Sequence, residues 1–381
     1  GEVGLQQRVL LEPCSSRSFC WISGSRLHRR ASVCQQDKIS RNRWRSLCFP
    51  VLLLISDTVS AFWRKKRLDR MDPLIADHQI FDDAVLTEIR PGRSIHMLHL
   101  TPEKKDVAAD ANTVTYFFVH GSMATMQQFE GQITALRDTA HIVAWDMYGC
   151  GKSPKPYEWD AYSHTEQYQD LLAIFDHYAG KRNVVVGHSY GSSMSLQLAS
   201  DRAQQREKPI IGVVTIGPGF GPSHYPSGSI KLFRYPLMLL QLMAPLLRMG
   251  FKERAVHKET LKRECHTHDR LVARIEASAG GNPMHVCKAF YQQLDWVTPE
   301  QMERITAPVS IIVGEADKMT PPAYSHALEE QLANSKSVPM VELHLVPKTS
   351  HQVMQEQPEE VTQLILAFVS KLSDDNTKVK V

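Results

Sequence analysis

A chain of 381 residues, 43% hydrophobic and 22% charged, is long enough for one large domain or two ordinary ones and has the composition of a globular protein with a sizeable core. Its formal net charge of +3 conceals an asymmetry, because residues 1–70 carry fourteen Lys/Arg against five Asp/Glu and leave residues 71–381 at −6. The basic excess is confined to the front, which excludes nucleic acid as an implied partner of the rest. Seven cysteines, four of them within residues 1–70, make neither a paired framework nor a CxxC couple, so a disulfide scaffold and a zinc ribbon are also excluded and a reducing compartment is expected.

In chain order, residues 1–70 read as a basic leader, disordered or absent from the mature protein, with Met71, the first methionine, as the expected start. Within it, Arg41, Arg43 and Arg45 precede an apolar run from Leu47 to Ile55 and the small residues Val59-Ser60-Ala61, which is the order of a secretory signal or weak anchor. The run is too short to span a bilayer and Asp57 interrupts it. The expected location is therefore cytoplasmic or peripheral on an intracellular membrane, and secreted or anchored only if residues 41–61 act as a signal.

From residue 71 onward, strand and helix patterns alternate, as in a mostly parallel sheet covered by helices on both faces. VLTEIR and SIHMLHL, joined across Pro91-Gly92, predict an opening hairpin. TVTYFFVHG predicts a buried strand ending at His120-Gly121, followed by the helix MQQFEGQITALRDTA and the strand HIVAWD, which ends at Asp146. The helix HTEQYQDLLAIFDHYAG is expected to stop at Gly180 as its C-cap, before the strand NVVVGH, a helix from Gly191 and the strand IIGVVTIG. The alternation then gives way to helical patterns, including IKLFRYPLMLLQLMAPLLRMGF, in which Pro236 and Pro245 are expected to interrupt any long helix. It resumes with VSIIVGEAD, PAYSHALEEQLANS, MVELHLVP and EEVTQLILAFVSKL. The expected organisation is an α/β core over residues 71–221 and 305–373, a helical insertion over 222–304 and a frayed tail over 374–381.

The chemistry gathers at strand ends. In Gly187-His188-Ser189-Tyr190-Gly191 a Val-rich strand turns into a helix, and the flanking glycines keep side chains out of a corner that holds a serine in strained backbone conformation. Ser189 is the candidate nucleophile, against the plainer possibility of a strand-to-helix turn alone. A serine hydroxyl needs a base to take its proton and donors for the oxyanion that forms. The N–H of Tyr190 stands at a helix start, and the loop His120-Gly121-Ser122 offers the N–H of Ser122 as a second donor. His351, after the last strand and before the last helix, is best placed as the base. His344 falls inside a strand pattern and His326 inside a helix. The orienting acid is Asp317, with Glu315 as an alternative. Gly121, Gly187 and Gly191 are the elbow and loop glycines.

The order Ser189, Asp317, His351, together with the strand-His-Gly segment, DMYGCGKSPKP, GHSYGSS, GEADKMTPP and SHQVMQEQPEE, resembles the α/β-hydrolase-fold superfamily across essentially all of residues 80–372. HYAGKRNVVVGHSYG and LLRMGFKERAVHKETLK most resemble the α/β-hydrolase-domain-containing proteins, in the branch of member eight. The resemblance implies an eight-stranded, mostly parallel sheet, a triad of Ser189, Asp317 and His351, oxyanion amides from Ser122 and Tyr190, and residues 222–304 as a helical lid. A serine at the elbow separates the chain from epoxide hydrolases and haloalkane dehalogenases, which use aspartate there. His120-Gly121-Ser122-Met123 lacks the extra glycine of lipase loops, and the His-x-x-x-x-Asp spacing of some acyltransferase-like relatives ends here at Glu356.

The expected function is a cofactor-free and metal-free serine hydrolase that cleaves an ester or thioester of a small molecule or, more in keeping with the lid, a lipid or acyl chain. A hydrolase-fold scaffold that acts through partners and a lysolipid acyltransferase are the alternatives. The leucines and methionines of YPLMLLQLMAPLLRMGF suit either an acyl-chain pocket or the lid's own core. Lys231, Arg234, Arg248, Lys252 and Arg254 around them suit peripheral membrane contact through the lid. Cys265-His266 and His268 lack the further ligands of a metal site, and Cys150, in a loop expected near the pocket, reads as a loop residue rather than a second nucleophile.

Overall fold

The computed structural model describes residues 79–219, 231–262, 271–275, 278 and 281–378. The expectations for residues 1–70, for Met71 and for the Cys265, His266 and His268 group lie outside these residues.

Eight strands form one sheet: β1 (Val85–Arg90), β2 (Arg93–Leu100), β3 (Thr115–Val119), β4 (His141–Trp145), β5 (Asn183–His188), β6 (Ile210–Ile216), β7 (Val309–Gly314) and β8 (Val341–Val346). Their spatial order is β1-β2-β4-β3-β5-β6-β7-β8. β2 runs antiparallel to β1 and to β4, and every other pairing is parallel. The parallel strands are almost continuously apolar because both of their faces are covered. Period-two alternation divides the side chains between two layers. Phe117, Val119 and Val185 enter one core, while Tyr116, Phe118, Val184 and Val186 enter the other.

The helices α1 (Glu130–Leu136), α2 (His164–Tyr178), α3 (Tyr190–Asp201), α4 (Leu237–Ala255), α5 (Met284–Gln292), α6 (Pro322–Asn334) and α7 (Pro358–Lys378) cover this sheet. α2 and α3 pack on one face through Leu171, Ile174, Phe175, Met194 and Leu198. α1 and α7 pack on the other through Ile133, Leu136, Val361, Ile365 and Phe368. Between β6 and β7 the described residues hold helices and no strand, and Leu240 and Ala244 of α4 join Met284 and Phe290 of α5 in the first core.

Several boundaries differ from expectation for local reasons. The segment after β3 begins as a 3-10 turn over Met126–Phe129 and becomes α-helical only at Glu130. α2 stops at Ala179 in extended conformation, so Gly180 is not its cap; Asn183 instead receives the Gly180 N–H on its side-chain oxygen at 2.8 Å. Pro236 caps α4, but Pro245 lies inside it without ending it. The buried neighbours Leu240 and Ala244 hold the helix in place despite the missing N–H. α7 runs to Lys378, past the end expected at 373.

The hairpin is bound to α2 by ions. Arg90 and Arg93 both reach the buried Asp170, at 2.6 Å and 2.7 Å. Arg90 also meets Glu166, and the Arg93 guanidinium lies 3.9 Å from the centre of the Tyr148 ring.

Candidate active site

The corner between β5 and α3 is built by exclusion of side chains. Ser189 has φ 53° and ψ −117°, in the left-handed half of φ where a residue with a Cβ is strained. Its N–H donates to the Ile216 carbonyl at 2.8 Å, and its own carbonyl accepts from Ser192 at 3.0 Å. A Cβ on Gly187 would stand 2.5 Å from the Gly191 carbonyl oxygen, and one on Gly191 would stand 2.1 Å from that of Val119. Both glycines are therefore demanded by backbone packing, and strand β3 can approach the elbow only because Gly191 lacks a side chain.

His351 and Asp317 lie in loops beyond the carboxyl ends of β8 and β7. His351 Nδ1 is 2.8 Å from Asp317 Oδ2, and both residues are buried. The other carboxylate oxygen accepts the N–H groups of Met319 at 2.7 Å and Thr320 at 2.9 Å. The Thr320 hydroxyl contacts Asp317 Oδ2 at 2.9 Å and His351 Nδ1 at 3.1 Å. With Nδ1 turned to the acid, His351 Nε2 is the nitrogen available as a base. Gly217, at φ 50°, passes close beneath the pair: its Cβ would lie 3.3 Å from both Asp317 Oδ2 and His351 Nδ1. Glu315 is absent from the hydrogen bonds of His351 among the described residues, so the geometry selects Asp317 over it.

Ser189, His351, Gly121, Ser122 and Thr320 line one cavity of about 450 Å³. Among the described residues no hydrogen bond joins Ser189 to His351; the two meet as neighbours on the cavity wall. Tyr190 opens α3, so its amide stands at the positive end of that helix. Its ring is buried against Phe290 and Trp296, and its hydroxyl lies 2.7 Å from His164 Nδ1. Ser122 follows a shaped turn. His120 accepts the Met147 N–H on Nε2 at 2.8 Å and donates from Nδ1 to the Gly121 carbonyl at 2.7 Å. Met123 takes φ 56°, and its carbonyl accepts from the Asn282 amide at 2.6 Å.

Burial favours the neutral form of two imidazoles beside the site. His188 donates from Nε2 to the His351 carbonyl at 2.9 Å, and burial, followed by the proximity of His351, holds its pKa well below the usual range. Burial likewise lowers His120. For Asp146, burial by itself would raise the pKa, but the His96 contact, His120 and the amides of Lys152 and Met126 outweigh it and hold the carboxylate ionised. Burial pushes the Cys150 thiol far up, which disfavours its thiolate. The loop carrying Cys150 lies directly behind the cavity wall: Cys150 packs in one core with Met123 and Cys287, which line the cavity, while Asp146 accepts the Lys152 N–H and holds the loop's turn. His344 sits on the edge strand β8 beside Glu342, and His326 sits on α6 beside Glu329.

Sequence reasoning missed several supporting residues. Thr320 and Gly217 touch the acid and base without a motif of their own, and Asn282 reaches the Ser122 loop from the insertion across 159 positions. Glu356 was visible only as the end of a spacing. Its buried carboxylate accepts from the Ser350 N–H at 2.8 Å, the His257 N–H at 2.9 Å and the Thr260 hydroxyl at 2.8 Å, and burial still raises its pKa. It therefore ties the His351 loop to the segment after α4. Ser350 Oγ donating to the Arg254 carbonyl and the Gln352 N–H donating to that of Ala255 make the same connection.

The described residues hold no helix long and apolar enough to cross a membrane and no cluster of three or more metal-ligating side chains.

The fold recurs in a solved thermophilic esterase from Thermogutta terrifontis, with TM-score 0.59 and 18% identity over 76% of this chain and 98% of that one. In sequence, the chain is 28% identical to Protein ABHD8 of Mus musculus over 286 residues, which are 74% of this chain and 61% of the mouse protein. Against the human Protein ABHD8 the identity is 29%, with 74% of this chain and 60% of that protein covered. The chain thus spans about three fifths of the length of these relatives. Residues 116–364 match the profile of the alpha/beta hydrolase family, from β3 through the Ser189 corner and the loops of Asp317 and His351 into α7. Since that match takes in more than half of the chain and the sheet has the corresponding strand order, this chain belongs to the alpha/beta hydrolase family.

Proposed function

We propose that the protein is a serine hydrolase that cleaves a carboxylic ester or thioester with an apolar acyl chain. The observation that carries this reading is the strained Ser189, held at a glycine-walled corner on the same cavity as the buried Asp317–His351 pair. His351 Nε2 takes the Ser189 proton as Oγ attacks the acyl carbon, and the N–H groups of Ser122 and Tyr190 receive the oxyanion. Collapse of the tetrahedral intermediate breaks the bond to the leaving oxygen or sulfur, which takes the proton back from His351. Water, deprotonated by the same nitrogen, then releases the acid from Ser189. Asp317 holds the imidazole in its working tautomer throughout.

The acyl specificity rests on the cavity's lining, in which Leu232, Phe233, Leu247, Phe251, Met284 and Met319 face the reactive groups. α4 and α5 act as the lid of this site. Hydrolysis is favoured over transfer to a lysolipid because Glu356, at the position of the acyltransferase-type acid, is fully engaged by Ser350, His257 and Thr260.

A fluorophosphonate probe tests the reading. The folded protein is expected to be labelled at Ser189, and Ser189→Ala to lose the label together with about 10⁴-fold or more of its ester hydrolysis. No labelling of the wild type, or equal labelling of the variant, overturns it.

A further inference from the structure

α4 is apolar on two sides. Leu240, Gln241 and Ala244 are buried against the core. On the opposite side Met238, Leu239, Leu242, Leu246 and Met249 are exposed, from 38% at Leu239 to 70% at Leu242. At 3.6 residues per turn these five side chains fall within an arc of about 100°. The helix has 19 residues, so this outward stripe belongs to a rod about 28 Å long. Scattered exposed leucines need no explanation, but five large apolar side chains on one arc of one helix do.

The charge around the stripe indicates what covers it. No charged residue occurs between Arg234 and Arg248, and cations stand at both ends: Lys231 and Arg234 before, Lys252 and Arg254 after. From Lys231 to Lys262 there are seven Lys/Arg and two Asp/Glu, within a region whose net charge from residue 71 onward is −6. An apolar arc bracketed by basic residues is the pattern of a helix that lies in the plane of a negatively charged lipid interface. The stripe also adjoins the cavity: Leu246 is 64% exposed and lines the same pocket as Ser189 and His351.

We propose that the exposed face of α4 docks on an anionic lipid surface, laying the mouth of the Ser189 cavity against the interface. The stripe enters the region of the acyl boundary while Lys231, Arg234 and Arg254, all exposed, meet the headgroups. This docking goes beyond the reaction at Ser189 and stands without it, since binding requires no bond to break.

The test is co-sedimentation of the full chain with vesicles of phosphatidylcholine and phosphatidylserine in equal parts, and with phosphatidylcholine alone. The wild type is expected to bind the mixed vesicles, to bind neutral ones more weakly, and to be released by salt. Leu242→Glu/Met249→Glu, at two exposed positions outside the cavity wall, is expected to weaken binding at least about tenfold. The same variant should keep wild-type melting and cleave a short soluble ester at the wild-type rate. Ser189→Ala should bind vesicles as the wild type does, so a failure of the reaction and a failure of the docking are told apart. Absence of vesicle binding by the wild type overturns the inference, as does unchanged binding by the double variant. It is equally overturned if the double variant abolishes a concentration-dependent dimer in sedimentation velocity while vesicles have no effect, because a second copy then covers the face.

Discussion

The backbone strain at Ser189 and the orientation of His351 both depend on their neighbours. Ser189 keeps φ 53° because Gly187 and Gly191 let the backbone of β3 and α3 close around it, and His351 keeps its orientation because Asp317 and Thr320 both address Nδ1. Asp317 has all of its acceptor capacity committed: two amides on one oxygen, His351 and Thr320 on the other. Replacing it with asparagine keeps the shape and presents an NH₂ group to one set of donors. Asp317→Asn should therefore lower kcat by about 10⁴-fold with a much smaller change in KM, because the imidazole loses its tautomer and its counter-charge in the transition state. Steady-state kinetics on a soluble ester decide this, and an unchanged kcat would remove Asp317 from the triad. At this scale the motif G-x-S-x-G, the loop His120-Gly121 and the pair Asp317 and His351 were all legible in the sequence. Thr320, Gly217 and Asn282 were not, because each acts through a contact between segments that have no regular spacing.

Between elements, the connection that matters most runs from α4 to the His351 loop. Glu356 takes three hydrogen bonds from two separate segments, and Ser350 and Gln352, on either side of His351, bond to the carbonyls of Arg254 and Ala255 at the end of α4. These bonds join the end of α4 and the segment after it to the loop that carries His351. In Glu356→Gln one oxygen is replaced by an NH₂ group facing donors, which leaves a buried donor unpaired at a cost of about 1–3 kcal/mol. The expected result is a melting temperature lower by several degrees and a kcat reduced about tenfold with KM nearly constant. A variant that loses stability but retains full kcat would show that Glu356 only braces the fold. Helix α4 itself illustrates how far tertiary packing overrides local rules: a proline pattern that predicts interruption is carried through where Leu240, Gln241 and Ala244 are buried in the turns before Pro245.

The described residues form a covered sheet in which loops at the carboxyl ends of β3, β5, β7 and β8 carry Ser122, Ser189, Asp317 and His351, while the insertion between β6 and β7 supplies much of the cavity wall. Its buried imidazoles set a direction for pH dependence. His188, His120 and His164 all have folded pKa values below the ordinary 6.5, first because of burial. Each therefore binds a proton more readily in the unfolded chain, so its contribution is fully present above about pH 6.5 and is lost as the pH falls toward the folded value, by up to about 1.4 kcal/mol per pH unit per group. Urea denaturation at pH 7.5 and pH 5.5 should show lower stability at the acid end. Replacing His164 by Gln, which keeps polar contacts to Tyr190 and Gln197, should flatten that slope. An unchanged slope would mean that His164 does not carry the effect.

The sequence by itself determined the alternation of strands and helices, the corner at Ser189 and the placing of Asp317 and His351 after successive strands, because these follow from periodicity and from residue types that a strand end requires. Only the tertiary structure decided that Asp317 and not Glu315 addresses His351, and that Glu356 binds the insertion to the loop carrying His351. It also decided which side of α4 is buried and which is bare, since leucines and methionines stand on both sides of that helix. These outcomes depend on which segments meet across long stretches of chain, 34 positions between Asp317 and His351 and 99 between His257 and Glu356, and no local pattern encodes that meeting.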